Sequence, residues 1–296
     1  MDKFASDDAT TSTEHVRLLR AEQACRIRSS LLKSEPLNMS GVFIIGTDTE
    51  VGKTYQAVKL AQALCARSIR VGVYKPVASG VVDQVISDLS ASTSSPPHDH
   101  MHSDATLLQA AAQTPVPIER ICPQSFRAPL APPMAAGLEG RAVDEPLLRT
   151  GAEWWTNACD FLIVEGAGGA LSPISASLTV LDLASNLGLP LIVVAANRLG
   201  VVNHVLLTIE AAASRGLDII GIILNNLPPS PTDPPALSAQ VVGTSSRNVT
   251  ASCLTEAASA QTTNRQLLQS FVEQHMPVVD SIESLLPYLF HGAVPP

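Results

Sequence analysis

Apolar and polar residues fall in alternating blocks along this chain. Val42–Gly46, Arg70–Tyr74, Phe161–Val164, Leu191–Ala196 and Ile219–Leu224 are short, nearly continuous apolar runs, as in strands buried on both faces. Segments with apolar residues at helical spacing lie between them. Lys53–Ser68 carries Val58, Leu60, Ala61 and Leu64, and further helices are predicted near Asp104–Ala112, Asp144–Ala158, Val180–Leu187 and Val202–Arg215. This alternation predicts an α/β fold, a mostly parallel β-sheet with helices on both faces. Right-handed crossovers would then gather the C-terminal ends of the strands on one edge, where such folds bind ligands.

Three stretches break the pattern. Residues 1–38 are polar, with a short helical pattern around His15–Leu32, and read as an N-terminal extension to a single domain over 39–296. Met39, just ahead of the first strand, is an alternative start. Two polar, proline-rich insertions near 83–103 and 228–260 contain SASTSSPP with HDHMH and PPSPTDPP, and read as loops. The alternating His98, His100 and His102 read as solvated loop side chains rather than a metal site.

Composition narrows the field. The 296 residues are 46% hydrophobic, enough for one substantial core. The formal net charge of −8 argues against a binder of nucleic acid or of an anionic membrane. The five cysteines (Cys25, Cys65, Cys122, Cys159 and Cys253) are odd in number and none are at CxxC spacing. That fits neither a disulfide framework nor a zinc site, and points to a reducing cytoplasm. No run approaches the roughly 18 apolar residues of a membrane span.

The chemistry concentrates at the predicted strand ends. Gly46-Thr-Asp-Thr-Glu-Val-Gly52-Lys53-Thr54 joins the first strand to its helix. A glycine-bracketed turn there turns backbone N–H groups toward phosphate, Lys53 would reach the β- and γ-phosphates, and Thr54 would offer a hydroxyl to Mg²⁺. The loop is one residue longer than the usual GxxxxGK[ST] pattern. Glu165 follows the buried run FLIV and precedes Gly166, Gly168 and Gly169, which would put a carboxylate on the ligand edge as a candidate Mg²⁺ ligand. Asp104 opens a helix, as a further ligand or only as a cap. Lys75 ends the second strand, either to stabilise charge during phosphoryl transfer or as a solvated lysine that adds little to the core.

Three segments, GTDTEVGKT, YKPVASG and VEGAGG, resemble in order and spacing the dethiobiotin synthetase family of P-loop NTPases. His102-Ser103-Asp104-Ala105, Ala128-Pro129 to Pro132-Pro133, Leu199 to His204 and Asn225-Asn226 also fit, so the resemblance covers about residues 41–227. It implies an ATP- and Mg²⁺-dependent ligase that closes 7,8-diaminononanoate and CO₂ into the cyclic urea dethiobiotin, in biotin biosynthesis. Lys75 matches the catalytic lysine and Ser79 a substrate contact. Thr54, Asp104 and Glu165 match the Mg²⁺ ligands. Glu50, Val51, Gly52, Lys53, Thr54 and Tyr55, then Glu165, Gly166, Ala167 and Gly168, then Asn225 and Asn226, match nucleotide contacts, with Asn225 facing the adenine. Thr49 and Glu50 lie where the loop would meet the substrate amines. The resemblance also implies a homodimer, in which Gly200 and Asn203 at a helix start hold the substrate carboxylate across the subunit interface.

The family's Gly-x-Ile-Pro-like loop lining the base pocket corresponds here to Pro277-Val-Val-Asp-Ser-Ile-Glu-Ser284, which lacks that proline. Other readings remain open. A partner-regulated switch ATPase would carry KGGxGKT, whereas no lysine precedes Lys53 in this loop. A corrin amidotransferase would need a glutaminase domain for which there is no room, and a degenerate relative would not be expected to retain Lys53, Thr54, Lys75 and Glu165.

Overall fold

The computed structural model describes residues 39–81, 103–227, 262–272 and 276–291. The predicted helix at 15–32, the three alternating histidines and nearly all of both insertions lie outside the described residues. In chain order the elements are β1 (Gly41–Gly46), α1 (Lys53–Cys65), β2 (Val71–Tyr74), β3 (Ala78–Ser79), α2 (Asp104–Ala111), α3 (Ile118–Ile121), β4 (Ser125–Phe126), α4 (Pro132–Leu138) and α5 (Glu145–Glu153). They continue as β5 (Phe161–Gly169), α6 (Val180–Leu187), β6 (Leu191–Ala196), α7 (Val201–Ala213), β7 (Ile219–Asn225), α8 (262–271), β8 (Val278–Val279) and α9 (Ile282–His291).

Six strands form one sheet in the order β2-β5-β1-β6-β7-β8, every neighbouring pair parallel. All six residues of β1 and all six of β6 are buried. Since successive side chains point to opposite faces, both faces of the sheet are covered there. A separate pair, β3 with β4, sets Ser79 beside Phe126.

The predicted strands are present, with one difference that bears on the site. β5 does not stop at Val164 but continues through Glu165 to Gly169. Its register against β1 jumps from Ile44 opposite Glu165 to Gly46 opposite Gly169. The glycine-rich segment therefore bulges while still on the sheet, beside the turn that follows β1.

The β2 edge is locked to α5 through Tyr74, whose hydroxyl donates to the Leu147 and Leu148 carbonyls at 3.0 and 3.1 Å. A Cβ on Gly151 would lie 2.3 Å from that hydroxyl oxygen. Gly151→Ala is therefore expected to lower the unfolding free energy by about 1–3 kcal/mol, measurable by urea denaturation. An unchanged midpoint and slope would mean the β2–α5 contact yields without strain.

Candidate active site

Gly52, Lys53 and Thr54, where β1's turn enters α1, supply different parts of the site. The turn from Thr47 to Gly52 runs from the centre of the sheet into the N-terminus of α1. Gly52 has φ 88°, in the left-handed region that glycine enters freely. Lys53 folds back so that its ammonium donates to the Asp48 carbonyl at 2.8 Å. Burial lowers its pKa to about 8, against the pull of the Glu165 carboxylate. An arriving phosphate would raise it again by further favouring the charged form.

Thr54 on α1, Lys75 just past β2, Asp104 on α2 and Glu165 on β5 converge beside this loop. The Thr54 hydroxyl donates to Glu165 Oε1 at 2.7 Å, and Lys75 Nζ donates to the same oxygen at 2.7 Å. Lys75 also pairs with the Asp104 carboxylate. Burial disfavours the charged Lys75, but Glu165 and Asp104 outweigh it and hold the ammonium above the usual lysine range. Burial likewise opposes the charge on Asp104, and Lys75 overcomes it, leaving that carboxyl below its ordinary range.

Two sequence expectations change here. Lys75 is 5% exposed and is not a solvated lysine at a strand end. Asp104 is not the helix cap, because Ser103 takes that role by accepting from the Thr106 N–H. The Asp104 carboxylate is thereby left to face Lys75.

Glu165 is 1% exposed and its Oε2 is buried without a hydrogen-bond partner. An orphaned carboxylate oxygen beside a second carboxylate and a hydroxyl suits a hard cation, and the donors are all oxygen. Among the described residues no group of three or more His, Cys, Asp or Glu side chains gathers around one point. The set is therefore short of a full protein cage. Mg²⁺ bound partly through phosphates and water is the cation it fits.

The remaining predicted residues spread along the same sheet edge. Thr49 and Glu50 are exposed in the turn, Val51 is buried beneath it, and Tyr55 is exposed on α1. Gly166, Ala167 and Gly168 follow Glu165 along the bulge, and a Cβ on Gly168 would lie 3.8 Å from Thr49 Cγ2. Ser79 is half-buried on β3. Gly200 and Asn203 are exposed at the start of α7, after the C-terminal end of β6. Asn225 ends β7, its Nδ2 donating to the Val51 carbonyl at 3.1 Å. Asn226 accepts from Asn197, which in turn accepts from Asn264 on α8.

The chain as a whole is similar to known proteins. The AAA domain family matches residues 40–295. A protein of Anaeromyxobacter dehalogenans named ATP-dependent dethiobiotin synthetase is 42% identical over 199 residues, 67% of this chain and 81% of the relative. Proteins of the same name from Bacillus subtilis (41% over 197 residues, 66% and 78% covered) and Rhodopirellula baltica (42% over 195, 62% and 72%) are similarly close. The chain belongs to the ATP-dependent dethiobiotin synthetase family.

Within a dethiobiotin synthetase framework, the C-terminal departure has a clear form. Pro277 to Ser284 is not a free loop. Val278–Val279 pairs with β7 as the last strand, and α9 begins at Ile282. Gln56, which no motif singled out, is 1% exposed and joins this segment to Asn225. A polar residue one turn into a helix reads as solvent-facing, so its burial left no trace in the sequence.

Proposed function

We propose that the protein converts 7,8-diaminononanoate, CO₂ and ATP into dethiobiotin, ADP and phosphate, with Mg²⁺. The observation that carries this reading is the convergence of Lys53, Thr54, Lys75, Asp104 and Glu165 at the end of β1, in a chain of this family. One substrate amine adds to CO₂ and loses a proton, giving a carbamate. A carbamate oxygen then forms a bond to the γ-phosphorus as the bond to the ADP oxygen breaks. The second amine attacks the carbamate carbon and gives up a proton, which the departing phosphate can take, as the carbon–oxygen bond to phosphate breaks and the ring closes.

Each residue has a defined task in that sequence. The Glu50–Gly52 backbone and Lys53 hold the phosphates, and Tyr55, Gly166–Gly168, Asn225 and Asn226 border the rest of the nucleotide. Thr54, Asp104 and Glu165 hold Mg²⁺, which supplies charge neutralisation at the phosphates. Lys75 stabilises the negative charge that spreads over the transferring group, a task for a fixed cation rather than a strong base. Thr49 and Ser79 contact the diamine. In a homodimer, Gly200 and Asn203 would take the substrate carboxylate at the positive end of α7. Among the described residues no helix is long and apolar enough to cross a membrane.

Dethiobiotin and phosphate appearing in equal amounts from diamine, bicarbonate, ATP and Mg²⁺ would support the proposal. ATP hydrolysis that ignores the diamine would favour a switch ATPase. Glu165→Ala is expected to raise the Mg²⁺ concentration for half-maximal rate by about 10–100-fold. A metal titration superimposing on the wild-type curve would remove Glu165 from the ligand set.

A further inference from the structure

An amide relay runs from the C-terminal segment to the phosphate loop. The Ile282 N–H donates to Gln56 Oε1 at 3.0 Å, Gln56 Nε2 donates to Asn225 Oδ1 at 3.1 Å, and Asn225 Nδ2 donates to the Val51 carbonyl at 3.1 Å. Gln56, Asn225 and Ile282 are all buried. A side-chain amide can in principle sit either way round, but a backbone N–H can only donate. Ile282 therefore forces the oxygen of Gln56 toward itself and the nitrogen toward Asn225. That in turn presents the Asn225 oxygen to Gln56 and the Asn225 nitrogen to Val51.

The end of the relay acts on the phosphate cradle. In a trans peptide the carbonyl and the following N–H point in opposite directions. Holding the Val51 carbonyl from below thus fixes where the Gly52 N–H points. Asn225 Nδ2 lies so close under Gly52 that a Cβ there would be 1.9 Å from it.

We propose that Gln56 is a positioning residue for the nucleotide site, acting through Asn225 to orient the Val51–Gly52 peptide, with α9 setting its polarity. This rests on the nucleotide-site reading of the loop. It makes the C-terminal helix, whose connection to β7 runs through the long polar insertion, part of the phosphate-binding apparatus.

Two substitutions separate the links. Gln56→Glu keeps an acceptor for the Ile282 N–H but cannot donate to Asn225, so only the link toward the loop is reversed. Gln56→Met fills the same space and breaks both links. Steady-state kinetics are measured with ATP and with 7,8-diaminononanoate varied in turn, and ATP binding is followed by titration calorimetry. Each variant is expected to raise the KM and Kd for ATP by about 10-fold while the KM for the diamine moves less than about twofold. Adding Gln56→Met to Asn225→Ala should weaken ATP binding no further than Asn225→Ala alone, because the two act in series.

Wild-type ATP affinity in Gln56→Glu would overturn the inference and reduce Gln56 to an anchor for α9. Fully additive losses in the double variant would also overturn it. Failure of the wild-type protein to bind ATP would instead remove the nucleotide-site reading on which the inference stands.

Discussion

Lys75→Gln is expected to lower kcat by about 10²–10³-fold while leaving the KM for ATP within a fewfold of wild type. The glutamine amide can still donate to Glu165, so the buried carboxylate keeps a hydrogen bond, but the charge aimed at the transferring phosphoryl group is gone. Lys75→Ala should behave differently. Lys75 and Glu165 are 7% and 1% exposed at their side chains and 2.7 Å apart. Deleting the lysine leaves a desolvated carboxylate with its nearest cation removed, a loss of about 3–5 kcal/mol when a buried pair is broken. Alanine should therefore cost both activity and stability, and glutamine mainly activity. Equal unfolding midpoints for the two variants would contradict the buried-pair account. Wild-type turnover in Lys75→Gln would remove Lys75 from the chemistry.

Gly52→Ala should abolish measurable nucleotide affinity, with a loss of at least about 100-fold, and lower stability by about 2–4 kcal/mol. Two independent effects act at this position. The backbone φ of 88° is strained for any residue with a Cβ, and the new methyl would meet the Asn225 amide at 1.9 Å. Asn225 is hydrogen-bonded to both Val51 and Gln56, so it has no free direction in which to retreat. The loop must move instead, and its N–H groups then lose their common focus. Calorimetric titration with ATP and urea unfolding read the two effects separately. An alanine variant that binds ATP as the wild type does would mean that phosphate is held by a different conformation of the loop.

Much of this site is legible in the amino-acid sequence alone. The strands β1, β6 and β7 stand out because strands buried on both faces must be continuously apolar, and the residues at their C-terminal ends follow. The spacing of Lys53 and Thr54 after Gly52 carries its own chemistry. What stays hidden depends on packing between distant segments. Lys75 resembles an edge lysine because nothing in YKPVASG reveals that Asp104 and Glu165, 29 and 90 residues away, close over it. Asp104 resembles a cap because only the backbone trace shows Ser103 in that position. Gln56 pairs with residues 169 and 226 positions along the chain, beyond any local pattern. β3, β4 and β8, two residues each, are too short to display a period.

The proposed reaction turns on transfer of the γ-phosphate to an oxygen that arrived as CO₂. A single turnover with C¹⁸O₂, diamine, ATP and Mg²⁺, quenched before the label exchanges with water, tests it most directly by mass spectrometry of both products. The predicted result is one ¹⁸O in the released phosphate and one in the dethiobiotin carbonyl. Phosphate carrying oxygen only from ATP and solvent, with ADP formed at the same rate, would contradict it and make the protein an ATPase whose hydrolysis serves some other end.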